Sequence, residues 1–284
     1  MIRRDVYDNG VVVYRSTLIE SFGGDAVLHG FSTRLGGLSE VGDAGEDFAG
    51  LDLGIESDSR VVAANWRRLR KSIEMQRMIR REVRQVHGSA VKVWQQNDKP
   101  MVLRDAPQAD GMVSANANEM LAIRTADCGS VLLVGKTSEK KLILGALHAG
   151  WRSVVSGIAI HTVDAMIEKG CLLESIVCAI GPCIGVEAFE VGNEVAEQFE
   201  SIGLPDCVVR RDDWGVSSTG RPYIDLSRAI QQQLRRLGVS NDRIDVCDQC
   251  TYTNTEEFYS YRRSVGHNNA KACGRMAAVI SFTD

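Results

Sequence analysis

Cys128 and His148 are the first residues of this chain whose types and spacing suggest chemistry. Cys128 ends the run Thr125-Ala126-Asp127-Cys128, and His148 opens His148-Ala149-Gly150-Trp151-Arg152. Two apolar runs lie between them, at 131–134 and 142–147. Both are short enough for strands and too short for independent helices. Cys128 then sits just before one strand and His148 at the end of the next. Neighbouring strands hold two ligand-type side chains rigidly close together. A third candidate, His87 in Arg84-Gln85-Val86-His87-Gly88, sits at a similar strand edge upstream.

One thiolate and two imidazoles suit a borderline-soft ion such as zinc, and three protein ligands leave a position for water or substrate. Zinc lowers the pKa of its bound water toward about 7. Asp127 could orient a ligand histidine or act as a general base on that water. The same atoms support two further readings. Cys128 could be a thiolate nucleophile with His87 or His148 as base, or a small buried hydrophobe. Spacing alone leaves the choice open, because it is not a compact Cys-x-x-Cys metal motif. Cys247-Asp248-Gln249-Cys250 is one such pair without a second, and we read it, with Cys273, as packing or spare thiols.

The elements that must position these residues follow from periodicity. Residues 10–34 read as short strands leading into a glycine-rich loop that runs to Gly54 and includes Gly42 and Gly45. Such a loop can bring backbone close to a ligand. Arg34 at its start suits phosphate, since a guanidinium offers a fixed fork of donors. Residues 58–74 read as a helix, with Val62, Trp66, Leu69 and Ile73 on one stripe and a solvated basic face opposite. Residues 82–94 read as strand, glycine break and strand, with His87 at the break. Strands follow at 109–113 and 120–124, then a helix over 153–169 closed by Gly170. A strand at 176–180 precedes helices over 189–202 and 224–237. Residues 246–251, 258–263 and 276–280 complete the strands. Arg262, Arg263 and Arg275 near these last strands are further anion-binding candidates. Nothing marks a linker or a repeat, so a single α/β domain with mixed sheets is the economical reading.

Composition narrows the class. The chain has 284 residues, of which 44% are hydrophobic, enough to bury a sizeable core. A formal net charge of -4 gives no electrostatic case for a nucleic-acid partner or an acidic membrane surface. No long apolar core follows the charged N-terminus, so we expect no signal peptide and no membrane span. Eight cysteines at irregular spacings point to reduced thiols and a cytoplasmic setting.

In order along the chain, several blocks together resemble the YfiH-type family, labelled variously as laccase-domain or polyphenol oxidase proteins and as purine nucleoside phosphorylases. They are Ser32-Thr33-Arg34, Arg84-Gln85-Val86-His87-Gly88, Ala109-Asp110-Gly111, Thr125-Ala126-Asp127-Cys128, His148-Ala149-Gly150-Trp151-Arg152, Ile180-Gly181-Pro182-Cys183-Ile184-Gly185, Phe189-Glu190-Val191-Gly192 and Tyr259-Ser260-Tyr261-Arg262-Arg263. The resemblance implies one compact domain over residues 1–284 with an α-β-β-α layering. It implies His87, Cys128 and His148 as zinc ligands, with copper the lesser candidate. It also implies phosphorolysis of adenosine, inosine and 5'-methylthioadenosine, with adenosine deamination as a companion activity. Arg34 and Arg262 are the expected phosphate-holding residues and Asp127 the expected proton carrier. The expected partners are therefore small molecules, a purine nucleoside and phosphate. Two other enzyme readings stand beside this one: a cysteine hydrolase or amidase editing cell-wall peptides, and a copper polyphenol oxidase. The chain departs from the family pattern at Ser153, at Gly129-Ser130 and in a longer 264–273 tail.

Overall fold

The computed structural model describes residues 1–40, 48–55, 58–210, 220–268 and 273–283. Gly42, Gly45 and part of the 264–273 tail lie outside them. In chain order the elements are β1 (Ile2–Val6), β2 (Val12–Ser16), α1 (Thr17–Gly23), β3 (Val27–Ser32) and α2 (Ser59–Ser72). Next come β4 (Ile79–Arg81), β5 (Val91–Val93), β6 (Gly111–Ser114), β7 (Glu119–Thr125), β8 (Gly129–Lys136) and β9 (Leu142–Ala149). Then follow α3 (Trp151–Val155), α4 (Ile158–Glu168), β10 (Val177–Ile180), α5 (Asn193–Ser201), β11 (Val208–Val209) and β12 (Tyr223–Ile224). The chain closes with α6 (Leu226–Arg236), β13 (Ile244–Val246), α7 (Tyr261–Asn268) and β14 (Met276–Phe282).

Two mixed six-stranded sheets are built from these strands, in the orders β1-β2-β3-β14-β7-β4 and β13-β10-β8-β9-β6-β5. Alternation along each strand sends side chains to opposite faces. Leu132 and Val134 of β8 join Leu121, Ile123, Ala278 and Ile280 of the other sheet in a core between the sheets. Val131 and Leu133 point the other way, into a core with α4, α5 and α6. On the outer face of the first sheet, Met120, Ala122 and Val279 pack with Val62, Trp66 and Leu69 of α2. The layering is thus α-β-β-α, as expected, and strands covered on both faces read as unbroken apolar runs. No helix among the described residues is long and apolar enough to cross a membrane.

Three local expectations are corrected. Of the strand, break and strand expected over 82–94, only the second strand forms, as β5: β4 ends at Arg81, and the segment after it makes an isolated bridge from Arg84 to Gln108. The turn at 86–88 instead wraps a buried carboxylate, described below. The helix expected over 153–169 starts at Trp151 and breaks at Gly157, whose φ of 78° closes α3 in a left-handed conformation before α4 begins. The strand expected over 258–263 is instead a buried stretch, Phe258-Tyr259-Ser260, followed by α7 from the exposed Tyr261. Its aromatic β propensity is overridden because Ser260 Oγ and the Arg262 N–H both donate to the Asp127 carboxylate, a cap supplied from a distant loop.

A candidate metal centre at the wall between two cavities

The β8–β9 hairpin pairs Ser130 with His148 and Gly129 with Ala149. Cys128, one residue before β8, therefore lies beside the end of β9. His87 reaches the same point from the turn between β4 and β5. The Cys128 sulfur is 3.9 Å from His87 Nε2, and one donor atom from each of His87, Cys128 and His148 lies within 4.8 Å of the others. Among the described residues this is the one grouping of His, Cys, Asp or Glu positioned to hold a metal ion.

Local backbone explains the convergence. His87 has φ 59° and Asp127 φ 83°, both in the left-handed region that non-glycine residues rarely enter. Each is a tight turn that aims a ligand loop inward. Gly150 forms the floor: a Cβ there would lie 2.8 Å from His87 Cδ2 and 3.1 Å from the Cys128 sulfur. The glycine is needed for space.

Asp110, which the sequence reading gave no role, organises the centre. It is fully buried at the start of β6. Its Oδ1 lies 2.8 Å from His148 Nδ1 and accepts the His87 N–H at 3.0 Å. Its Oδ2 accepts the N–H groups of Val86 and Gly88 at 3.1 and 2.7 Å. Burial would raise its pKa, but the bond to His148 and these backbone donors hold it below the usual carboxylate range. With Nδ1 engaged, His148 presents Nε2 to the cluster, the arrangement expected of a metal-bound imidazole. Burial also pushes the Cys128 thiol up, but His148 and His87 outweigh it and hold the group at about 6. His148 is raised in turn, to about 9, because Cys128 and Asp110 overcome the cost of burying its charge. A thiolate, two imidazoles, a carboxylate behind one of them and a floor without a side chain fit a soft or borderline divalent metal.

Two cavities meet at the cluster; His87 and Cys128 line both, and His148 lines the larger. The larger, about 530 Å³, is lined by Arg84, Gln85, Arg124, Arg152, Tyr261 and Arg275 among others. The smaller, about 240 Å³, is lined by Trp151, Ile184, Phe189, Leu226, Tyr261 and Arg262 among others. His87, Ala126, Cys128, Arg152 and Tyr261 belong to both.

Of the other candidates, Arg262 lines the smaller cavity. Its guanidinium stacks over Phe189 at 5.4 Å and donates to the Glu190 carbonyl at 2.9 Å. Asp127 lines it too, with Oδ1 accepting from Thr251 Oγ1 at 2.7 Å and Oδ2 from Ser260 Oγ and the Arg262 N–H. Arg34 lines neither cavity. It stacks over Tyr259 at 4.8 Å and donates to the Ala49 carbonyl at 3.0 Å, which ties the glycine-rich loop down.

Fold and site define a class. Residues 28–283 match the family model described as "Multi-copper polyphenol oxidoreductase laccase", and the chain belongs to that family, the YfiH-type group expected from its motifs. A relative from Deinococcus radiodurans named "Purine nucleoside phosphorylase" is 37% identical over 262 residues, covering 90% of each chain. A mouse relative, "Purine nucleoside phosphorylase LACC1", is 31% identical over 248 residues, 84% of this chain and 53% of its own length. The crystal structure of YlmD from Geobacillus stearothermophilus superposes with a TM-score of 0.83 at 26% identity, covering 100% of both chains.

Proposed function

We propose that this chain is a zinc-dependent purine nucleoside phosphorylase of the cytoplasm. In this reading adenosine, inosine and 5'-methylthioadenosine are its substrates, and adenosine deamination is a side activity. The observation that carries the proposal is the His87–Cys128–His148 cluster, two of whose members, His87 and Cys128, line both an arginine-lined cavity and an aromatic one. The names of the relatives support the reaction class.

Bound by the trio, zinc would supply Lewis acidity toward a phosphate or substrate oxygen and acidify a water. The rest of the work falls to the chain itself. Asp110 fixes the ring and tautomer of His148. Arginines at the larger cavity neutralise phosphate, whose recognition suits their planar forks. Asp127 accepts three hydrogen bonds from Thr251, Ser260 and Arg262, so we read it as a positioning residue that fastens α7, with Tyr261 and Arg262, against the Cys128 loop. Arg262 shapes the aromatic cavity, and Arg34 supports the site indirectly by holding its loop.

Incubation with inosine and phosphate tests the reading. Equimolar hypoxanthine and ribose 1-phosphate are expected. The cysteine hydrolase reading draws on the Cys128–His87 contact. Activity that survived complete metal removal but not alkylation of Cys128 would favour it.

A further inference from the structure

We infer that substrates lie across the trio in one direction, with phosphate against Arg84 and Arg152 in the larger cavity and the purine between Trp151 and Phe189 in the smaller. This rests on the phosphorolysis reading and adds the polarity of binding.

The reaction sets the geometry. A phosphate oxygen forms a bond to ribose C1′ as the C1′–N9 bond breaks. The electron pair leaves on the purine, and the proton carried by hydrogen phosphate balances it there, giving free base and ribose 1-phosphate. Attack and departure occur on opposite sides of C1′. The site must therefore offer an anion subsite and a base subsite on either side of one point, and two cavities that share His87 and Cys128 as a wall do so.

Lining decides which is which. Whole-ligand pockets run from roughly 300 to 1,000 Å³. The 240 Å³ cavity falls short of that range and fits part of a ligand, whereas the 530 Å³ cavity falls within it. The smaller is walled by Trp151, Phe189, Leu226 and Ile184, with the Arg262 guanidinium stacked on Phe189. Flat apolar faces and a planar cation suit a purine ring. The larger cavity carries four arginines. Arg124 is ion-paired with Glu82 at 2.7 Å, and Arg275 donates to the Cys273 carbonyl. Arg84 and Arg152 are exposed, and Arg152 lies over the Trp151 ring at 4.2 Å, on the boundary between the two subsites.

The test is a pair of Michaelis constants, for phosphate and for inosine, in the metal-loaded full chain. Arg84→Gln, at an exposed position, is expected to raise the phosphate KM at least tenfold and leave the inosine KM within twofold. Phe189→Leu is expected to do the reverse, raising the inosine KM severalfold at constant phosphate KM. Trp151→Phe is the second base-side variant should Phe189→Leu fold poorly. A wild-type protein that makes no ribose 1-phosphate removes the phosphorolysis reading, and this orientation with it. An active wild type whose Arg84 variant raises the inosine KM, or whose base-side variants raise the phosphate KM, overturns the orientation alone.

Discussion

The Asp110 carboxylate lies 2.8 Å from Nδ1 of His148, and the same oxygen accepts the backbone N–H of His87 at 3.0 Å. One buried side chain thus sets the ring of one candidate ligand and the backbone of another. Replacing it should loosen both together. Asp110→Asn is expected to lower zinc affinity ten- to a hundredfold, the usual cost of losing a carboxylate behind a ligand histidine. Competition with a chromogenic chelator measures it. Because three loop amides also lose a charged acceptor, the metal-free variant should lose roughly 2 kcal/mol or more in urea denaturation.

Gly150 tests the packing of the trio without altering a donor. Gly150→Ala places a methyl 2.8 Å from the His87 ring and 3.1 Å from the Cys128 sulfur. Overpacking of this kind costs about 1–3 kcal/mol. Zinc bound per chain, read by elemental analysis after dialysis, should fall well below the wild-type value. Circular dichroism should stay near wild type.

Asp127 separates positioning from proton transfer. Its three accepted hydrogen bonds hold the start of α7 to the Cys128 loop. Asp127→Ala should lower stability by about 1–2 kcal/mol, the scale of a lost helix cap. If it only positions, the variant's pH–rate profile for adenosine deamination keeps its shape at a lower level. Loss of a limb of that profile would make it the proton carrier.

His29 gives a pH prediction away from the site. Its Nε2 accepts the Ser16 N–H at 2.8 Å, and burial, aided by Arg15 and Arg3, lowers its pKa from 6.5 to about 3. The unfolded chain therefore takes up this proton first as pH falls. The stability concerned is fully present above about pH 6.5 and is lost progressively below it, down to about pH 3. Below pH 5.5 the loss approaches about 1.4 kcal/mol per pH unit. In His29→Gln the unfolding free energy from urea denaturation should fall by about 1.4 kcal/mol less between pH 5.5 and 4.5 than in wild type.

The hairpin that brings Cys128 and His148 together was legible because two apolar runs of strand length bracket a turn. The α2 stripe of Val62, Trp66 and Leu69 was equally plain, since buried helix faces repeat every three to four residues. Asp110 was not, because one carboxylate has no periodicity. Its signal was local: a charge opening the buried strand Gly111–Ser114 must be paired. The start of α7 and the contacts of Arg34 and Arg262 were hidden for a related reason. What the backbone does at Tyr261 depends on Asp127, more than a hundred residues away, and an arginine's partners depend on which loops fold over it.

The central claim is that the trio serves phosphate-dependent cleavage of purine nucleosides. Its most direct test is the stoichiometry of products from inosine and phosphate with the zinc-loaded protein. The account predicts one hypoxanthine and one ribose 1-phosphate per inosine consumed, dependent on phosphate and lost in Cys128→Ala. Hypoxanthine released with free ribose, or no cleavage at all, would contradict it.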